Sequence, residues 1–179
     1  MPTNLLKNYN QFLEINHLSH NEKMISLKGI FNRDISNNQE FLFRTKTIRP
    51  LKKEGIIDVE VLFNHLTHST EDEKDEKDNV VKKRNVFDNE RSKRLHWIWH
   101  HIQEKTKINI EVFSYTDRIK SKDVIRTYIY DFVEKYVIIL EPQRSKKDYY
   151  LISAYYLTEK LGGHKSIENK RKRKMSEVH

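Results

Sequence analysis

The sequence contains no cysteine. Disulfides, thiolate nucleophiles, iron–sulfur clusters and most structural zinc sites are thereby excluded. Glycine is also scarce: Gly29, Gly55, Gly162 and Gly163 are the only four in 179 residues. Walker A loops and dinucleotide fingerprints need clustered glycines for close approach of backbone to phosphate, so nucleotide-driven chemistry is not expected and no cofactor is implied. No apolar run approaches the roughly 20 residues of a membrane span. The first ten residues lack an apolar signal core, so a cytoplasmic protein with no membrane partner is expected.

What the chain does have is charge and rings. Charged residues make up 34% and aromatics 11%, too polar for a membrane protein and too aromatic for a disordered chain. The formal net charge is +8 and the sequence pI about 9.4. Such a surplus favours a polyanionic partner through counterion release.

The most obvious break is residues 71–78, EDEKDEKD, with six acids and two lysines. It reads as a solvated linker or exposed loop, or as an acidic strip over a basic groove. Residues 71–84 are taken as this charged linker, and 1–70 as an N-terminal α/β region of unknown role. In that region Leu5, Leu6, Tyr9, Phe12 and Leu13 recur at helical spacing, which predicts a helix over 4–16. Residues 40–48 alternate and read as a strand; 58–65 are either helical or extended.

After the break, 87–105 reads as a helix with Asp88 or Asn89 as N-cap. Strand candidates follow at 109–115, 125–132, 136–141 and 149–157. The short charged connections imply an antiparallel meander, hence an α+β layout of helical elements followed by a four-stranded antiparallel sheet. Residues 175–179 are expected to be a disordered tail.

On the helix, Leu95, Ile98 and Ile102 share one stripe, and Arg91 falls within it. A charge there is costly unless it is paired or reaches a cleft. Glu141 is one carboxylate that could pair with it. Arg94 and His101 flank the stripe, whereas His96 and His100 face water. The spacing of His96 and His100, with His65 and His68 as a second pair, could suit a metal only if both pairs met, and no metal site is expected. On the strands, Arg126, Tyr128, Tyr130 and Phe132 line one face, and Tyr149, Leu151, Ser153 and Tyr155 another. Such faces can stack unpaired bases and hold phosphate, or can simply be good sheet surfaces. The run KRKRK at 170–174 reads as an electrostatic arm for RNA, a localisation signal or a solvated end.

Three ordered segments carry a resemblance: Arg91-x-x-Arg94-x-x-Trp97-Ile98, then YVIILEP at 136–142, then YYLISAY at 149–155, followed by the Lys/Arg-rich tail. Residues 85–174 resemble the phage-type branch of the barnase–EndoU–colicin–RelE-like nucleases. The resemblance implies a barnase/RelE-like fold and a metal-independent endoribonuclease, a toxin that cleaves tRNA or mRNA through attack of the ribose 2′-OH on the adjacent phosphate. Arg91 and Arg94 match the helix arginines of that branch, and Ser153 stands where it has Thr or Ser before Ala-Tyr. On this basis Arg91, Arg94, His101, Tyr128 and Ser153 are catalytic candidates. His96, Arg126, Tyr130, Arg144, Tyr155, Lys170 and Arg171 are RNA-binding candidates. An acidic antitoxin or immunity protein is the expected protein partner. The alternatives are a non-catalytic RNA- or DNA-binding module and a phage-encoded protein-interaction protein. If Arg91 is to reach substrate, its stripe must lie at an edge of the sheet.

Overall fold

The computed structural model describes residues 2–50, 52–53, 56–74, 80–105, 108–143, 147–158 and 163–179, with backbone alone for 2, 52–53, 56–57, 71–74 and 80–84. Its centre is a six-stranded sheet. In chain order the strands of this sheet are β1 (Leu42–Phe43), β2 (Lys46–Pro50), β7 (Ile110–Ile119), β8 (Lys122–Asp131), β9 (Tyr136–Pro142) and β10 (Asp148–Tyr156). Their spatial order is β1-β2-β10-β9-β8-β7. The C-terminal four strands form the expected antiparallel meander. The expectation of a sheet with four strands is corrected, because residues from the N-terminal region add a hairpin. In that hairpin β2 runs parallel to β10 along Asp148–Leu151. Two short pairs lie outside the main sheet: β3 (Lys52–Lys53) with β4 (Ile56–Ile57), and β5 (His68–Lys74) with β6 (Val80–Phe87). The 71–84 linker or loop of the sequence reading thus contributes backbone to the β5–β6 hairpin.

Helices α2 (His20–Phe31), α3 (Val59–Thr67) and α5 (Trp97–Ile102) cover one face. Ser19 and Glu22 form a capping box that starts α2, which buries Leu27, Ile30 and Phe31. Asp58 caps α3, placing Leu62, Phe63 and Leu66 inward. These side chains meet Trp97, Ile98, Ile129, Ile138 and Leu151 in the larger core. Helix α6 (Gly163–Lys172) is associated with the opposite face, where Ile167 packs with Phe113, Tyr128, Tyr130 and Leu157.

The helix expected over 4–16 is limited to α1 (Pro2–Leu5). The Asn4 side chain accepts from the Glu14 amide at 2.8 Å and donates to the Glu14 carbonyl at 3.1 Å, so the segment doubles back instead of winding on. Asparagine bonds of this kind compete with helix. The helix expected over 87–105 is broken. Asp88 caps α4 (Asn89–Ser92), residues 93–96 are turn, and α5 follows. The cause is local: Leu13 donates its amide to the Lys93 carbonyl at 2.9 Å, and Trp97 turns to the Arg94 carbonyl at 2.9 Å. The wheel drawn for a continuous helix therefore misplaces His96, which is 5% exposed and not solvent-facing.

Candidate functional site

Arg91 and Arg94 are held where β10 loses its neighbour. Strand β2 pairs β10 only as far as Leu151, and a bulge between Leu151 and Ser153 shifts the register against β9. The bulge breaks the simple alternation expected for this strand, so that Tyr149, Leu151 and Ala154 all join the larger core. Beyond it, Arg91 reaches the Ser153 hydroxyl at 3.1 Å and the His65 carbonyl at 2.7 Å. Its guanidinium lies 5.2 Å from the Tyr155 ring, and Asp88 is 3.6 Å away. Burial pushes the Arg91 pKa down against the pull of Asp88. Glu141, the carboxylate named from sequence, instead faces Arg126 at 3.6 Å.

Arg94 is caged by rings. Its guanidinium lies 4.3 Å from Tyr156, 4.6 Å from Phe12 and 5.3 Å from Trp97. It also bonds the Glu90 carbonyl at 2.8 Å and the Glu90 carboxylate at 2.7 Å. Burial works to raise the Glu90 pKa, but bonds from Arg94 and Lys93 outweigh it and hold the carboxyl low. Both arginines retain a buried Nε with no hydrogen-bond partner among the described residues. Those Nε atoms face the interior; the Arg91 side chain, 13% exposed beside the Ser153 hydroxyl, is the one that can meet an oxyanion such as phosphate, and Arg94, at 6%, contributes its charge.

The other candidates lie elsewhere. His101 is fully buried, with Nδ1 2.7 Å from the Trp97 carbonyl and Nε2 3.1 Å from Asp131. The Tyr9 hydroxyl donates to the same Asp131 oxygen at 2.5 Å. Burial works to raise the Asp131 pKa, but the His101 and Tyr9 bonds prevail and lower it. This is a structural network, closed to substrate. Tyr128 is also fully buried, bonded to Asp117 and to Lys170, the latter at 2.9 Å. Burial, then the Asp117 bond, raises its pKa.

The face carrying Tyr128 and Tyr130 is not open. Lys170 bonds Asp117 at 2.5 Å, and Arg171 bonds Glu111 at 2.6 Å. Arg126 lies between Asp117, at 3.8 Å, and Glu141. The cations expected to form a free arm are thus largely matched inside the molecule. Nor do the last residues stand away from the sheet as a loose tail: Met175 bonds the Ser114 carbonyl at 2.8 Å, and the His179 carbonyl accepts from Thr127 and Tyr149, each at 2.6 Å. His96 meets the Asn8 carbonyl at 3.4 Å, and burial lowers its pKa to about 4. Arg144 lies outside the described residues.

Sequence reasoning missed His65, Glu90, Phe12 and Tyr156 as neighbours of the arginines. Glu90 was detectable as the i−4 partner of Arg94, whereas the other three depend on tertiary packing. Among the described residues, no group of three or more His, Cys, Asp or Glu is placed to hold a metal ion, and no helix is long and apolar enough to cross a membrane. No protein-family model matches the chain, and the comparisons with curated proteins and with solved structures found no match.

Proposed function

We propose that the chain is a metal-independent endoribonuclease acting on tRNA or mRNA, with its phosphate site at Arg91 and Arg94. The observation that carries this reading is Arg91, its side chain 13% exposed, bonded to the Ser153 hydroxyl on the stretch of β10 beyond its pairing with β2, with the ring-caged Arg94 three residues on. The family resemblance of residues 85–174 supplies the reaction. The 2′-oxygen bonds to phosphorus as its proton passes to a base, and the P–O5′ bond breaks as an acid protonates O5′. Arg91 and Arg94 neutralise the phosphorane, where one well-placed donor is worth about 10²–10³ in rate. Ser153 orients the phosphate. Tyr155, kept as neutral phenol because burial raises its pKa against the pull of Arg91, is the proton donor in this scheme. No imidazole or carboxylate among the described residues is assigned as the base; His65 meets Arg91 through its backbone carbonyl. His101 and Tyr128 take structural roles in place of the catalytic ones first assigned to them. The expected biology is that of a toxin held by an acidic antitoxin.

One observation favours a second reading, a non-catalytic RNA-binding module: two of the catalytic candidates, His101 and Tyr128, are fully buried. Incubation of the full chain with total tRNA in EDTA separates the two. Endoribonuclease action yields fragments ending in 2′,3′-cyclic phosphate. Salt-sensitive retention of intact tRNA would replace it with the binding module. Neither cleavage nor binding would dismiss both and leave a protein-interaction role.

A further inference from the structure

A cavity of about 270 Å³ opens between residues 7–9, the π-helical segment Asn32–Ser36 that follows α2, and helix α5. Its lining includes Tyr9, His96, Trp99, His100, Gln103 and Lys105. Two of these residues carry buried polar atoms without a hydrogen-bond partner among the described residues, His96 Nδ1 and Gln103 Oε1. His96 itself is 5% exposed. Buried polar groups are nearly always satisfied, so an unsatisfied pair lining one cavity points to something that fills it.

We propose that this cavity receives one unpaired nucleobase of the RNA, stacked on the aromatic wall and read by Gln103 and His96. The size lies just below the usual range of small-molecule pockets, about 300–1,000 Å³, which suits a single ring system. The aromatic side is ordered: the Tyr9 and His100 rings stack on each other at 4.2 Å with 14° between their planes, which leaves only an outer face for a further ring. Burial lowers the pKa of both His96 and His100 to about 4, so the rings are neutral at physiological pH. Of the charged residues in the lining, Arg33 is bound to Asp34 and Lys7 to Glu14, so neutral rings and amides remain, which suit a base edge better than a phosphate. Lys105 stands at the rim, exposed and outside any ion pair among the described residues. The cavity also adjoins the arginine cleft. The Trp97 ring lies 5.1 Å from Tyr9 on one side and 5.3 Å from Arg94 on the other. The choice of a nucleobase over another flat heterocycle rests on the ribonuclease or RNA-binding reading above.

The test titrates the full chain with each of the four nucleoside 5′-monophosphates, following the tryptophan emission to which Trp99 contributes. Ribose 5-phosphate serves as the baseless control. Ribose 5-phosphate can reach the proposed phosphate site beside Trp97, so saturable quenching beyond its response, favouring one base, is expected. Gln103→Leu, checked for an unchanged circular dichroism spectrum, should weaken binding about tenfold. Should Gln103→Leu fail to fold, His100→Ala removes the stack and should weaken binding by a similar factor. No quenching below about 10 mM, equal quenching by ribose 5-phosphate, or folded variants that bind like the parent would each overturn the proposal. Arg91→Ala should bind mononucleotides normally while losing RNA cleavage. A bare cavity in an active nuclease and an occupied cavity in an inactive one are therefore distinct results.

Discussion

At the scale of residues, burial decides which polar groups can do chemistry. His101 and Tyr128 have the right functional groups, but both lie in the core with their polar atoms engaged. Arg91 keeps a side-chain exposure of 13%, the opening through which a ligand would meet it. The buried His96 gives a pH prediction. Its folded pKa of about 4 lies below the ordinary 6.5, so the unfolded chain binds the proton more readily. Its contribution to stability is complete above pH about 6.5 and is lost as pH falls toward 4, in total about 3 kcal/mol. Urea unfolding at pH 7 and pH 4.5 should show this loss together with that of His100, whose pKa is lowered alike, and His96→Gln should remove about half of the difference. An equal difference in parent and variant would show that His96 is not its source. The apolar stripe that singled out Arg91 assumed one helix over 87–105, which is broken between Arg91 and Trp97. The partners of Arg91 were not readable from spacing, because Ser153 lies 62 positions away in the chain and becomes a neighbour through a bulge that alternation does not announce.

At the scale of elements, the sequence pattern located the meander well, since each strand carries its own β-branched and aromatic run between charged turns. It failed for 4–16 and 87–105, where bonds made across the fold interrupt locally favourable helix. It also passed over α2, although the Ser19-x-x-Glu22 spacing is a capping-box signal. The β7–β8 turn gives a second prediction. Lys120 and Ser121 both have positive φ, 45° and 66°, in a two-residue hairpin loop of the kind that prefers Asn-Gly. Lys120→Asn with Ser121→Gly should therefore stabilise the protein by about 1 kcal/mol in chemical unfolding. A loss of stability would show that these side chains contribute more than their backbone strain costs. Helix α6 gives a third. Lys170 bonds Asp117 and Tyr128, so Lys170→Ala should lower the melting temperature while leaving the salt dependence of RNA binding unchanged. A shallower salt slope at constant melting temperature would return Lys170 to the RNA surface.

At the scale of the whole molecule, the three layers explain why one sheet can present a site only at an edge. Helices α2, α3 and α5 cover one face and α6 packs on the other; beyond Leu151, β10 keeps β9 on one side and has no pairing with β2 on the other, and there Arg91 meets Ser153. The net charge of +8 supplies attraction for a polyanion but does not locate a site, because much of the C-terminal charge is spent on Asp117, Glu111 and Glu168. Composition could show the surplus; only the fold shows which cations are already matched. The central claim is that Arg91 acts on a scissile phosphate. The most direct measurement is the rate of tRNA cleavage in EDTA by the full chain and by Arg91→Ala, at matched folded fraction. The account predicts 2′,3′-cyclic ends from the parent and a rate about 10²–10³ lower for the variant. Equal rates, or no cleavage by the parent, would contradict it.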